Sequence, residues 1–477
     1  MSYRFAFGRP PAVAARGMVA TSQPAATRAG LRALEQGGNA ADAALAAAAV
    51  LCVTEPMSTG IGGDCFALVW RDGKLDALDS AGPAPRAAEP STPVAADGPR
   101  SITVPGAVAG WAAFAERHCR LGLDANLAAA VDAAEHGFAV APRTAGIWQR
   151  VGGPSELGQA PRVGDVVRLP ELGATLRRIA SEGPDGFYRG PVAAAIASAS
   201  WLDEEDLAAF EPAWVEPLRI SYRGTDVVEM PPPTQGVVAL EALGLLERSS
   251  PSLASRIRCV KLALEDGLAR VRDGADVFEL IDPDYLDARR SGEEAPVVEP
   301  AGGTVYLCAV DEDRMAVSFI QSLFEAFGSG VVAPGTGVVL QNRGACFAVS
   351  GAVEPGRRPY HTIIPGMLLR DGGLLGPFGV MGGFIQAQAH TQFVSAVVDD
   401  GLDPQAALDR PRFRVDGDVV RLEEGLWERD ADLEPLGYRT VRDTDSYGFG
   451  GGQAILVQGD ALVGGSDPRK DGYAGGL

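Results

Sequence analysis

Residues 304–347 read TVYLCAVDEDRMAVSFIQSLFEAFGSGVVAPGTGVVLQNRGACF. They open with Thr304 at the head of TVYLCAV, a β-branched and apolar run of strand length. Directly before it stands SGEEAPVVEPAGG, residues 291–303, rich in Glu, Pro and Gly and ending in a glycine pair. This is the one stretch of the chain that resembles a linker. It gives the backbone before Thr304 unusual freedom, which a peptide bond destined for rearrangement needs. Taken alone, the same letters also fit an ordinary surface loop leading into a strand.

Toward the N-terminus, residues 21–38, TSQPAATRAGLRALEQGG, end in a glycine pair as a helix of about ten residues would. Asn39 is placed to cap a second helix, AADAALAAAAVL, whose small side chains allow close approach to whatever it packs on. In TEPMSTGIGGDCFALVW the glycines Gly60, Gly62 and Gly63 form a flexible turn before a β-rich run from Cys65 to Trp70. KLDALDS, VVRLP and LRISYRGTDVVEM read as further strands, and LAAAVDAAEHG, GPVAAAIASAS, VVALEALGLLE and IRCVKLALEDGLARVRDG as helices. The order is mixed α and β, with no internal repeat and no low-complexity tract.

The chain has 477 residues, enough for one large globular unit or two to three ordinary ones. With 62 acidic against 42 basic residues, a formal charge of −20 and no basic run, nucleic acid and anionic membrane are poor partners. Six cysteines lie scattered without CxxC spacing and four histidines are equally dispersed, so no metal site is expected. Met1 to Arg16 lack the apolar core of a secretory signal, which reads as a cytoplasmic chain with reduced cysteines. The longest apolar stretch, Ala40 to Val53, contains Asp42 and is shorter than the ~20 residues that span a bilayer.

From Thr304 onward the sequence resembles the γ-glutamyltranspeptidases. Their small subunit begins with a threonine on a strand, followed by a VVD-type turn, a polar strand, FGSG and a G-x-LLNN segment. This chain keeps Thr304, Val310-Asp311, Phe327-Gly328-Ser329-Gly330 and Leu340-Gln341-Asn342 in register. GMVATSQP, GGNAADAA, TEPMSTGIGGD, VPGAVAGW, GFYRG and MPPPTQG resemble stretches of the large subunit in the right order, and GSDPRKDGYAGG resembles the tail. The resemblance implies an α+β fold, the four-layer αββα sandwich of N-terminal-nucleophile hydrolases. It also implies cleavage between Gly303 and Thr304, giving a large subunit 1–303 and a small subunit 304–477 that form one unit and a heterodimer, which could pair further.

A hydroxyl is a weak nucleophile without a base beside it, and a freed α-amine with a pKa near ~8 is such a base. Thr304 would supply both groups, so no metal or organic cofactor is implied. The resemblance assigns the oxyanion hole to Gly382 and Gly383 in FGVMGGF, where each backbone donor is worth about 3 kcal/mol. Ser322 falls where the family has a second threonine that hydrogen-bonds the nucleophile.

The groups that would recognise a γ-glutamyl substrate are replaced. The family's carboxylate-binding arginine in LDFRETAP becomes Ala81, its ammonium-binding aspartate becomes Cys346, and the assisting asparagine becomes Phe324. Losing a charged partner to a buried zwitterion costs roughly 3–5 kcal/mol, which makes glutathione a poor substrate. Meanwhile His361 and Thr362 stand where the family has a serine pair, and Arg343 follows Asn342. An arginine grips a carboxylate with two parallel hydrogen bonds, so the expected substrate is an amide of a small carboxylate such as oxamate, the pattern of γ-glutamyltransferase-like amidohydrolases. The alternatives are a γ-glutamyl hydrolase or transpeptidase, a side-chain acylase of β-lactam or oxalyl type, and a non-catalytic relative. An ordinary serine hydrolase is disfavoured, because no G-x-S-x-G elbow is present.

Overall fold

A computed structural model describes residues 8–292 and 302–477. Residues 293–301 of the linker-like segment, and the first seven of the N-terminal stretch, lie outside the described residues. Two antiparallel seven-stranded sheets form the frame. One runs in the order Ala12–Ala14, Ala461–Ser466, Gly451–Gln458, Gly373–Met381, Gly366–Arg370, Thr225–Glu229, Leu218–Tyr222. The other runs Tyr473–Gly476, Met18–Thr21, Gly303–Val310, Ala316–Phe324, Asp64–Arg71, Lys74–Ser80, Ala213–Val215. Strands from before and after Thr304 interleave in both sheets.

Alternation along the strands stacks the layers. In Gly303–Val310, the side chains of Val305, Leu307 and Ala309 join the helices Pro24–Glu35 and Ala40–Thr54, while Tyr306, Cys308 and Val310 join Met367, Met381 and Ile455 of the other sheet. On the far side, Leu368, Phe378 and Leu456 pack under helices Gly236–Glu247, Leu253–Arg270 and Ile385–Val398. Successive residues of a strand point to opposite faces, so this division gives helix, sheet, sheet, helix: the four-layer αββα sandwich.

The helix Ala40–Thr54 is buried along its whole length, which only small side chains permit at such close range. Asn39 caps it, accepting from the N–H groups of Ala41 and Asp42, while Asp42 accepts from the Asn39 N–H at 2.9 Å. One reading of the sequence changes. In VVRLP only Val166–Val167 is a strand, because Pro170 takes the first position of helix Pro170–Glu182, where its fixed φ and missing N–H are tolerated.

Candidate active site

Thr304 lies at an irregularity in its own sheet. The register passes from Gly303 opposite Phe324 to Val305 opposite Gln321, so Thr304 alone faces both Ser322 and Leu323. Such a bulge re-aims a side chain and is common beside active sites. Phe324 closes it with a φ of 77°, which costs a non-glycine residue on the order of 1–2 kcal/mol.

Three oxygens converge there. The Thr304 Oγ1 lies 2.7 Å from the Gly303 carbonyl oxygen and 3.2 Å from Ser322 Oγ. Ser322 Oγ also lies 2.7 Å from that carbonyl oxygen. Because Ser322 accepts from the Phe324 N–H at 2.8 Å and from Arg343 Nη2 at 3.3 Å, its own proton is directed to the Gly303 carbonyl. Gln386 Nε2 donates to Thr304 Oγ1 at 3.4 Å. Thr304 is only 2% exposed, so these bonds operate away from bulk water.

Arg343 is fully buried at the start of the short helix Arg343–Val349. Nη1 donates to Thr362 Oγ1 at 2.9 Å and approaches Cys346 Sγ at 3.7 Å, while the guanidinium stands over the Phe324 ring at 4.5 Å. Thus Ser322, Phe324, Arg343, Cys346 and Thr362 are brought together. Burial pushes the Cys346 thiol up to about 11, against the pull of Arg343, so the thiol remains neutral at neutral pH and supplies no counter-charge. Among the described residues no carboxylate lies within ion-pair distance of Arg343, and its Nε has no hydrogen-bond partner. A buried charge without a partner costs several kcal/mol. A ligand anion would relieve that cost.

Gly382 and Gly383 follow strand Gly373–Met381 with φ of 128° and 74°, a backbone that favours glycine. Their loop packs on the residue before the Gly303–Thr304 bond: a Cβ built on Gly302 would stand 3.0 Å from Gly383 Cα. It leads into helix Ile385–Val398, and the Gly383 carbonyl is tied down by Gln235 Nε2 at 3.1 Å.

Ala81 is placed differently. It is buried between the sheets, its N–H donated to Asp79 Oδ1 at 3.1 Å, and Asp79 in turn is paired with Arg358.

His361 is also engaged elsewhere than on Arg343. Its Nδ1 accepts weakly from the Ile363 N–H at 3.5 Å, so Nε2 carries the proton and donates to Asp64 Oδ2 at 3.1 Å. Burial, with Arg343 and Arg358 adding to it, holds the imidazole neutral, well below its usual range.

Asp64 was not identified from the sequence. It follows Gly62 and Gly63 and opens the apolar strand Asp64–Arg71, and a charge at the mouth of a buried strand was the available signal. Oδ1 accepts from the N–H groups of Gly82 and Gly106, both at 3.1 Å, and from Gln341 Nε2 at 3.0 Å. Burial pushes its pKa up to about 7, opposed by Arg343 and these hydrogen bonds.

A second pair missed by sequence reading is Glu229 and His390. His390 Nε2 accepts from the Val380 N–H at 3.0 Å, which leaves the Nδ1 proton for Glu229 Oε1 at 2.6 Å. Val380 lies two residues before Gly382 in the strand that enters the glycine loop.

The chain as a whole has relatives among known proteins. The family model for gamma-glutamyltranspeptidase matches residues 26–477. The chain is 33% identical to an oxamate amidohydrolase proenzyme of Klebsiella pneumoniae, covering 97% of this chain and 99% of that one. It is 31% identical to a glutathione hydrolase-like YwrD proenzyme of Bacillus subtilis, covering 96% and 98%. Among solved structures, a cephalosporin acylase from Bacillus halodurans superposes with a TM-score of 0.92 at 40% identity, over 100% of this chain and 98% of that one.

Proposed function

The chain belongs to the gamma-glutamyltranspeptidase family of N-terminal-nucleophile hydrolases, and we propose that it is a self-processing amidohydrolase whose nucleophile is Thr304 and whose substrate carries a small carboxylate next to the scissile amide. The observation that carries this reading is the placement of Arg343. Its Nη2 is 3.3 Å from Ser322 Oγ, which is itself 3.2 Å from Thr304 Oγ1. The cation is thus no more than two hydrogen-bond lengths from the attacking oxygen. A carboxylate bonded directly to the attacked carbonyl, or one carbon away from it, can span that gap while the carbonyl faces Thr304. Oxamate has that form, whereas a γ-glutamyl group holds its carboxylate several bonds further off.

In the uncleaved chain the same groups act on the Gly303 carbonyl. Ser322 donates to its oxygen and so polarises it. Thr304 Oγ adds to the carbonyl carbon and the peptide nitrogen takes up a proton. The C–N bond then breaks, leaving Gly303 as an ester on Thr304. Water cleaves the ester, giving a carboxylate on Gly303 and a free α-amine on Thr304. That amine next serves as the base for attack on a substrate amide, with Gly382 and Gly383 donating to the oxyanion and Gln386 close to the nucleophile. The acyl-enzyme is hydrolysed by water. The fragments 1–303 and 304–477 remain paired through their interleaved strands.

A side-chain acylase is the second reading, favoured by the 40% identity to the cephalosporin acylase. Incubation of the cleaved protein with oxamate, with γ-glutamyl-p-nitroanilide and with a dicarboxyl-substituted β-lactam separates the three. Ammonia released from oxamate supports the proposal. Nitroaniline at ordinary transpeptidase rates with no ammonia from oxamate rejects it, and turnover of the β-lactam alone transfers the assignment to the acylases.

A further inference from the structure

Arg343 presents a physical difficulty that its immediate neighbours do not resolve. A guanidinium buried beside two hydroxyls, a thiol and an aromatic ring needs a compensating anion. That anion must leave the edge of the guanidinium open if a substrate carboxylate is to dock there. A carboxylate in direct contact would fill the clamp. One held a short distance away, by other donors, would balance it.

Asp64 meets this requirement. It is opposite Ser322 in the sheet register, on the strand next to the one that carries the serine. Its carboxylate takes four N–H donors, from Gly82, Gly106, Gln341 and His361, so its orientation is fixed from several elements at once. It makes no ion pair with Arg343, yet above about pH 7, where Asp64 is ionised, the two charges lower each other's cost of burial, and Arg343 is the largest influence opposing the desolvation of Asp64.

The same carboxylate sets the far wall of the clamp. His361 spends its Nε2 proton on Asp64, and the backbone around it is tied to Pro233 and Gln235 at 2.8 and 3.0 Å. The next residue, Thr362, gives its carbonyl to Gln235 Nε2 at 2.6 Å and its hydroxyl to Arg343 at 2.9 Å. Resting on the reading of Arg343 as the carboxylate clamp, we infer that Asp64 is its positioning residue: through His361 it fixes the segment that presents Thr362 to the guanidinium, and it balances the buried charge without occupying the edge that receives the substrate. Asp64 touches neither substrate nor nucleophile and acts through these neighbours.

Oxamate binding to the purified protein, followed as the concentration dependence of the thermal shift, tests the assignment with Asp64→Asn, His361→Leu and His361→Gln. Glutamine keeps an amide N–H for Asp64; leucine keeps only bulk. The expected result is binding weakened tenfold or more in D64N and H361L, with H361Q within threefold of the parent. Unchanged binding in both D64N and H361L overturns the inference, and so does an H361Q protein as impaired as H361L, because a purely space-filling role would not distinguish the two. If D64N gives no cooperative melt, the H361L and H361Q pair decides alone. Failure of the parent to bind oxamate at all overturns the clamp reading itself, and the inference with it.

Discussion

Ser322 Oγ lies 2.7 Å from the carbonyl oxygen of Gly303, the residue immediately before Thr304. Its proton is aimed there because its acceptor capacity is already used by the Phe324 N–H and by Arg343. Deleting that hydroxyl removes a donor from the carbonyl that becomes an oxyanion in the proposed self-cleavage, a loss of roughly 1–3 kcal/mol or about five- to 150-fold in rate. Ser322→Ala is therefore expected to self-cleave slowly, Ser322→Thr at near the parent rate, and Thr304→Ala not at all. Intact-mass spectrometry over time checks this. Fragments meeting between residues 303 and 304 should accumulate at those relative rates, and cleavage of Thr304→Ala at the same bond would reject Thr304 as the nucleophile.

Arg343 is expected to matter far more for activity than for stability. Arg343→Met keeps length and packing against Phe324 but removes the charge, so kcat/KM for a carboxylate-bearing amide should fall roughly a hundred- to thousandfold. The same change removes a buried guanidinium that makes no ion pair among the described residues, but it also takes away the cation that offsets the burial of Asp64, so Tm should move by no more than a few degrees. Arg343→Lys should not rescue activity, since an ammonium cannot offer two parallel N–H groups. A Tm drop of several degrees together with unchanged kcat/KM in Arg343→Met would show a structural cation instead.

Two buried histidines give stability a dependence on pH with a definite sign. Burial lowers His118 to about 4, against the attraction of Asp76, and holds His361 well below its usual range. Their unfolded value is near ~6.5. Below that pH the unfolded chain binds protons that the folded chain does not, so stability falls as pH drops through 6.5, and the His118 share of the loss is complete below about 4. Asp64 acts in the other direction, since its folded pKa is raised to about 7 and the folded form gains protons first as the pH falls. Urea midpoints between pH 7.5 and 4.5 should therefore decline less steeply for His118→Phe than for the parent. Parallel curves would show that His118 is charged in the folded state.

How far the sequence could be read is decided by where the informative contacts lie. Thr304, Ser322, Gly382 and Gly383 follow from local motifs in register, and those motifs sit on the strands and loop that converge at one point. The layer order could not be derived from periodicity. Val305, Leu307, Tyr306 and Cys308 are all apolar because both faces of their strand are covered, so the alternation has no polar phase to reveal it. VVRLP misled because its apolar letters span the end of a two-residue strand and the first turn of a helix. Asp64 showed only as a charge at the mouth of an apolar strand, because its meaning arises from Gln341 and His361, which are remote in the chain. His361 looked like a pocket ligand by position, but the direction of its Nε2 depends on that unseen partner.

The pair Glu229 and His390 supports the glycine loop from behind, and its removal should affect the chemical step more than binding. His390 belongs to the helix after the loop, and its Nε2 accepts the N–H of Val380 in the strand before the loop. The ring thus bridges the two elements between which Gly382 and Gly383 are suspended. Glu229 fixes the tautomer that makes this possible, because it receives the Nδ1 proton and leaves Nε2 as an acceptor. His390→Leu keeps bulk but abandons the Val380 N–H in a dry interior, at a cost of about 1–3 kcal/mol. Under the proposed role of Gly382 and Gly383 as oxyanion donors, misplacing them acts on the transition state alone, so kcat should fall roughly tenfold or more while KM stays within about twofold. Glu229→Gln should show a smaller loss in the same direction, since its amide oxygen can still accept the Nδ1 proton. A rise in KM with kcat intact in His390→Leu would place the pair on the substrate-binding side of the site and detach it from the loop.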